Sequence, residues 1–208
     1  MDIQFHGANC ISLQTKKARV VIDDTLEDLG AKSVLKSGDV ALYTGAHGEP
    51  KVATKLTIGH AGEYEVSEVS IYGIALRAHM DESGKKSTTA YKVIAGDTRL
   101  VVMGHVYPEL TDRQLETIGT VDVLVVPVGG NGYTTDGIGA LKLIKKIEPK
   151  IVIITHYDDA TLNFAVPQQT LEQALAGLAL EPKETTDKLK LKGSEIIEGT
   201  QLYILNRV

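Results

Sequence analysis

The chain of 208 residues has one cysteine, Cys10, no tryptophan and only two phenylalanines. A single thiol excludes an intrachain disulfide framework and fits a reducing compartment, so the cytoplasm is the expected location. With so few large aromatics, the core must be aliphatic. No apolar run approaches the ~20 residues that cross a bilayer, so no membrane partner is expected. The opening Met1-Asp2-Ile3-Gln4 lacks the basic segment and apolar stretch of a signal peptide. Clustered positive charge is also lacking. The net charge is −5, and the densest basic pieces, Lys142 to Lys150 and Lys183 to Lys192, are interleaved with acidic residues. That is the pattern of a solvated face, so nucleic acid is not an expected partner.

What is present suits one ordinary globular domain spanning residues 1–208. The length allows a sizeable core without staples. No linker divides the chain, and no repeat of 20–50 residues is visible. The first half reads as short strands at 3–5, 10–14, 19–23, 40–43, 55–58, 69–74, 91–95 and 99–103, with Gly96-Asp97 as the turn between the last two. The second half alternates. Residues 111–118 read as a helix with Thr111 as N-cap and Gln114 in capping-box spacing. Val121–Val126 and Ile151–Thr155 are apolar runs, as in strands covered on both faces. Residues 137–147 read as a helix with Ile138, Leu141, Ile144 and Ile147 on its apolar stripe. Residues 167–180 read as a helix with Pro167 in its first turn, and 189–208 as a terminal strand pair. Two sheets with outer helices is the simplest assembly.

Of six histidines, four follow strands: His47 after 40–43, His79 after 69–74, His105 after 99–103 and His156 after 151–155. Side chains just past strand C-termini gather at one rim, where sites are built. Imidazole is the commonest metal ligand near neutral pH. Several at one rim suggest zinc, with Glu49 or Asp81 as an oxygen ligand. His6 and His60 read as structural, and Cys10 as a buried small hydrophobe. The glycine-rich run 129–135 lacks the lysine and spacing of a phosphate loop and reads as a tight edge of the cleft, with Tyr107 and Tyr133 as candidate lining.

The run Gly62-Glu63-Tyr64-Glu65-Val66, His79, Gly104-His105, Pro127-Val128-Gly129-Gly130, Glu148-Pro149-Lys150 and His156-Tyr157, in that order, resembles the small zinc-dependent hydrolase-like branch of the metallo-β-lactamase superfamily, related to ascorbate-lactonase-type proteins. The likeness spans nearly the whole chain. It implies an α/β fold, an αββα sandwich with two mixed central sheets, outer helices and a metal site at one edge. The departures are informative. Where the family's metal loop reads Thr-His-x-His-x-Asp-His, this chain has Thr44-Gly45-Ala46-His47-Gly48-Glu49-Pro50. Gly45 and Pro50 offer no side-chain donor. The family's later Gly-Asp corresponds to Gly104-His105, whereas Gly96-Asp97 precedes its strand and is a decoy. The resemblance therefore implies at most one zinc ion, held by His47, His79 and His105 with an open position for water. His156 would be a fourth ligand or an acid/base, and His156 or Glu49 would manage the proton of a metal-activated water.

Two functions follow. One is a metal-dependent hydrolase acting on a small ester, lactone or phosphoester. The other is a non-catalytic relative that keeps the fold as a scaffold for a ligand or partner. A small molecule is the expected partner in the first case, and a homo-oligomer is compatible with either.

Overall fold

The computed structural model describes residues 1–191 and 199–208. Its strands run β1 (Asp2–Gly7), β2 (Cys10–Gln14), β3 (Arg19–Ile22), β4 (Val40–Leu42), β5 (Leu56–Ile58), β6 (Gly62–Val66), β7 (Val69–Leu76), β8 (Thr88–Ala95) and β9 (Thr98–Val102). They continue as β10 (Val123–Pro127), β11 (Ile151–Thr155), β12 (Pro182–Thr186), β13 (Leu189–Lys190) and β14 (Gln201–Leu205). The helices are α1 (Asp112–Ile118), α2 (Gly137–Ile147) and α3 (Leu171–Leu178). Two mixed sheets form, in the orders β13-β1-β2-β3-β4-β5 and β12-β14-β11-β10-β9-β8-β7-β6.

The apolar runs explain the layering. In β10, Val123 and Val125 enter the core between the sheets, while Leu124 and Val126 face the helices. Every side chain is therefore buried, as the uninterrupted run requires. The six-stranded sheet alternates in the same way. Val20, Ile22, Val40 and Leu42 point into the shared core, and Val21, Ala41 and Tyr43 point outward under Leu26 and Leu35. Outside this sheet the cover is one turn of 3-10 helix, Leu26–Leu29, and its loop. All three α-helices bury residues on the outer face of the eight-stranded sheet.

Several expectations need correction. Strand β6 was not anticipated. It is an edge strand with exposed Glu63 and Glu65, charges that discourage pairing with another chain. The buried face of α2 is Ala140, Leu143, Ile144 and Ile147, whereas Ile138 is 58% exposed. Gly137 sits against Ala174 and Gly177 of α3, and this close approach turns Ile138 outward. Helix α3 starts at Leu171 rather than Pro167, because Thr170 caps it in a capping box with Gln173. The chain just before it is held elsewhere: Gln169 N–H donates to the Gly129 carbonyl at 2.7 Å. Replacing Thr170 with alanine should cost about 1 kcal/mol, read as a lower urea midpoint at unchanged slope. Among the described residues the tail does not form a strand pair: β13 joins β1, and β14 lies between β11 and β12 in the other sheet. The rest of that expected pair, residues 192–198, lies outside the described residues.

Parallel register aligns the strand ends. Ile22, Leu42 and Ile58 are level in one sheet, and Val102, Val125 and Ile153 in the other. At the opposite end, the buried Asp122 carboxylate accepts from Arg99 Nε at 2.8 Å and Lys150 Nζ at 3.1 Å. Although burial opposes its charge, these donors hold Asp122 at about 2. One end of the sheet is thus clamped, and the C-terminal rim carries the loops.

Candidate ligand pocket at the strand rim

A cavity of about 320 Å³ opens at this rim between the two sheets. From the six-stranded sheet come Asn9 of the β1–β2 turn, Asp23 after β3 and Thr44 after β4. From the other sheet come His105 after β9 and His156 after β11. Tyr133, Phe164 and Gln168 complete the polar and aromatic wall.

Each polar group is fixed by a partner. Asp23, in a left-handed conformation at φ 56°, receives Thr44 N–H on one oxygen and Thr44 Oγ1–H on the other, both at 2.6 Å. Burial pushes its carboxyl up to about 6, against the two donations from Thr44. Thr155 Oγ1 donates to Asn9 Oδ1 at 3.0 Å, so the Asn9 amide presents its NH2 to His105 Nε2 at 3.2 Å. His105 Nε2 therefore accepts, and the ring proton sits on Nδ1, which is enclosed without a partner. Gln168 is committed likewise: its NH2 donates to the Val166 carbonyl at 2.6 Å, leaving Oε1 to accept from His156 Nδ1 at 3.0 Å. That assignment leaves the lone pair of His156 on Nε2. The two rings meet edge-on with centroids 4.6 Å apart. Burial drives His105 down to about 3, with His156 and His79 adding to it, and drives His156 to about 4 against its bond to Gln168. Both imidazoles are neutral at physiological pH.

The other anticipated ligands are not brought here. His47 stacks flat on Tyr43, with centroids 3.9 Å apart and planes 10° apart, and its Nδ1–H donates to the Gly48 carbonyl at 2.8 Å. Its Nε2 points at Gly59, where an added Cβ would lie 2.5 Å away. Glu49 lines a separate surface cleft with Asp24 and Lys51. His79 stands behind His105, donating its backbone N–H to the His105 carbonyl at 2.8 Å, with its ring 5.6 Å from that of Tyr107. Asp81 spends its carboxylate on Ala78 N–H and on Ser87 N–H and Oγ–H. Asp97 is exposed in the β8–β9 turn, as its register implied. His6 is structural, bonded to Ser12 Oγ at 2.8 Å. Sequence reasoning singled out His105, His156 and Tyr133 but missed Asn9, Asp23, Thr44 and Gln168. The available signal was position, since the first three lie in the turns and segments that end strands.

The beta-lactamase superfamily domain matches residues 2–156. The chain belongs to this family. A UPF0173 metal-dependent hydrolase of Thermoplasma acidophilum is 27% identical over 85% of this chain and 91% of its own. A UPF0173 protein of Pyrococcus abyssi is 25% identical over 76% and 83%. A solved Thermotoga maritima structure, assigned to the Zn-dependent hydrolases of the metallo-beta-lactamase superfamily, superposes with a TM-score of 0.76 at 22% identity, covering 99% and 98% of the two chains. The αββα sandwich is thus the metallo-β-lactamase fold.

The family implies a metal, and the donors present here do not fit one. Among the described residues no group of three or more His, Cys, Asp or Glu side chains is placed to hold a metal ion. The expected trio of His47, His79 and His105 fails for a local reason. Flanked by Gly45 and Gly48, His47 is free to lie on the Tyr43 ring rather than over the rim, and the His105 Nε2 lone pair already accepts from Asn9.

Proposed function

We propose that this family member binds a small molecule in the rim pocket and has replaced metal coordination there by two imidazoles, each oriented by a side-chain amide. The observation that carries this reading is the outward turn of His47, the one histidine retained in the loop 44–50, onto Tyr43. The committed tautomers of His105 and His156 support it, because Asn9 and Gln168 do the orienting that a metal ion would otherwise do. The pocket has the size and mixed lining of a small-ligand site. The lone buried thiol is consistent with a cytoplasmic setting. No helix among the described residues is long and apolar enough to cross a membrane.

Metal analysis of untagged protein tests the reading. The expected content is below about 0.1 equivalent of zinc after dialysis, with no gain in thermal midpoint on adding zinc, since a ligand that binds the native state raises stability. A full equivalent retained through dialysis would overturn it.

A second reading is a mononuclear zinc hydrolase of small esters, lactones or phosphoesters. One observation favours it: Nδ1 of His79 is enclosed without a partner, a ring nitrogen whose lone pair is open to a metal. The name of the Thermoplasma relative points the same way. In that reading His79, His105 and His156 would hold the ion, which would supply an activated water.

A further inference from the structure

On the metal-free reading, the charge at this rim is negative. Among the described residues no lysine or arginine lines the cavity, whereas Asp23 and Asp28 do. Asp23 is buried with both oxygens bonded to Thr44, so it is a fixed negative charge at neutral pH rather than a group that can swing to meet a ligand. Asp28 is exposed at the mouth, and no side-chain bond or ion pair engages it among the described residues. Lys51, which feels the charge of Asp28, is paired with Glu27 at 2.8 Å and is not part of the wall.

The wall also presents one unpaired acceptor. His156 is 5% exposed and lines the cavity, and with Nδ1 donating to Gln168 its Nε2 has no partner among the described residues. Beside it stand Phe164, with its ring centroid 5.2 Å from the imidazole, and Tyr133 at 6.3 Å. This lone pair at the cavity wall is open to a donor from a ligand.

Resting on the metal-free reading of this pocket, we infer that its ligand is a small organic ammonium ion carrying an apolar group. The ammonium has N–H donors and no acceptor, matching His156 Nε2 and the Asp28 carboxylate. The rings of Phe164 and Tyr133 attract a cation through their faces and cover the apolar part. An anion of the same size would meet two carboxylates and, among the described residues, no counter-charge, and a low-dielectric cleft focuses that repulsion.

The test uses the full untagged chain, with metal content measured on the same sample. Benzylammonium, benzyl alcohol and benzoate share one ring and differ in charge. Each is titrated by calorimetry at about pH 7.5, where carboxylates are ionised. Benzylammonium should bind about tenfold more tightly than benzyl alcohol, and benzoate most weakly. Asp28→Asn should erase the advantage of the amine over the alcohol. His156→Gln, with its folding checked by thermal melt, should weaken both donors together. Equal binding of amine and alcohol, tighter binding of benzoate, or no saturation by any probe would overturn the ligand class. Stoichiometric metal in the sample would instead overturn the metal-free pocket beneath it, so the two failures are distinguishable.

Discussion

Stability should fall steeply as the pH drops from about 6.5 towards 4, because two buried imidazoles must stay neutral for the chain to stay folded. In the unfolded chain each histidine takes up a proton near pH 6.5. In the folded protein His105 does so only at about 3 and His156 at about 4. Between these values the unfolded state holds more protons, so each unit of acidification favours unfolding by up to about 1.4 kcal/mol per histidine. Asp23 acts with the opposite sign. Its carboxyl is raised to about 6, so it favours the folded state below its unfolded value and loses that advantage as the pH rises through 6. It offsets part of the loss, but it is one group against two with larger shifts. Urea midpoints between pH 7 and pH 4 should therefore drop by an amount equal to several kcal/mol. His105→Gln and His156→Gln should each flatten the dependence, and Asp23→Asn should steepen it. A wild-type midpoint constant over this range would show that the rings are solvated and that the pocket is not built as described.

The same residues show how far the sequence could be read. Apolar runs such as Val121–Val126 report burial directly, so sheet strands on both sides of the core were legible, and so was the rim. Position after a strand places a Cα atom, not the far end of a side chain. For His105 and His156 the two coincide, because β9 and β11 flank β10 in one parallel sheet. For His47 they do not, because Gly45 and Gly48 leave the loop path open and the Tyr43 face takes the ring. The decoy at Asp97 was legible because register alone decides it. Asn9 and Gln168 were not legible. Each acts by choosing which nitrogen of a partner holds a proton, a role with no spacing of its own in the chain. Gln168 fell within what read as a helix start, and only the carbonyl of Gly129, which takes Gln169 N–H, explains why the helix waits until Leu171.

That carbonyl belongs to the residue whose substitution should be most damaging to the site. A Cβ on Gly129 would overlap both Gln168 Oε1 and the backbone carbonyl oxygen of His156. Gln168 could swing aside, but it would then release His156 Nδ1 and free the ring to take the other tautomer. The His156 carbonyl is less able to move, since His156 sits at φ 59° with its N–H bonded to the Ala8 carbonyl at 2.8 Å. Gly129 cannot retreat either. Its own carbonyl is held by Gln169, and its neighbour Gly130 donates to the Thr135 carbonyl at 3.0 Å. With no soft direction, Gly129→Ala should cost about 3 kcal/mol or more, in the range of overpacking a fixed interior. For a chain of this length that is a fall of about 6–12 °C in thermal midpoint. Gly132→Ala is the control. Gly132 lies in the same loop at φ +75° with open space around its Cβ position, so only backbone strain opposes the change, at about 1 kcal/mol. The difference between the two variants isolates the packing of Gly129 against Gln168 and His156. Benzylammonium binding should be lost in Gly129→Ala and kept in Gly132→Ala. Equal midpoints for the two would show that the strand end is soft, and that the tautomer of His156 is not set by this contact.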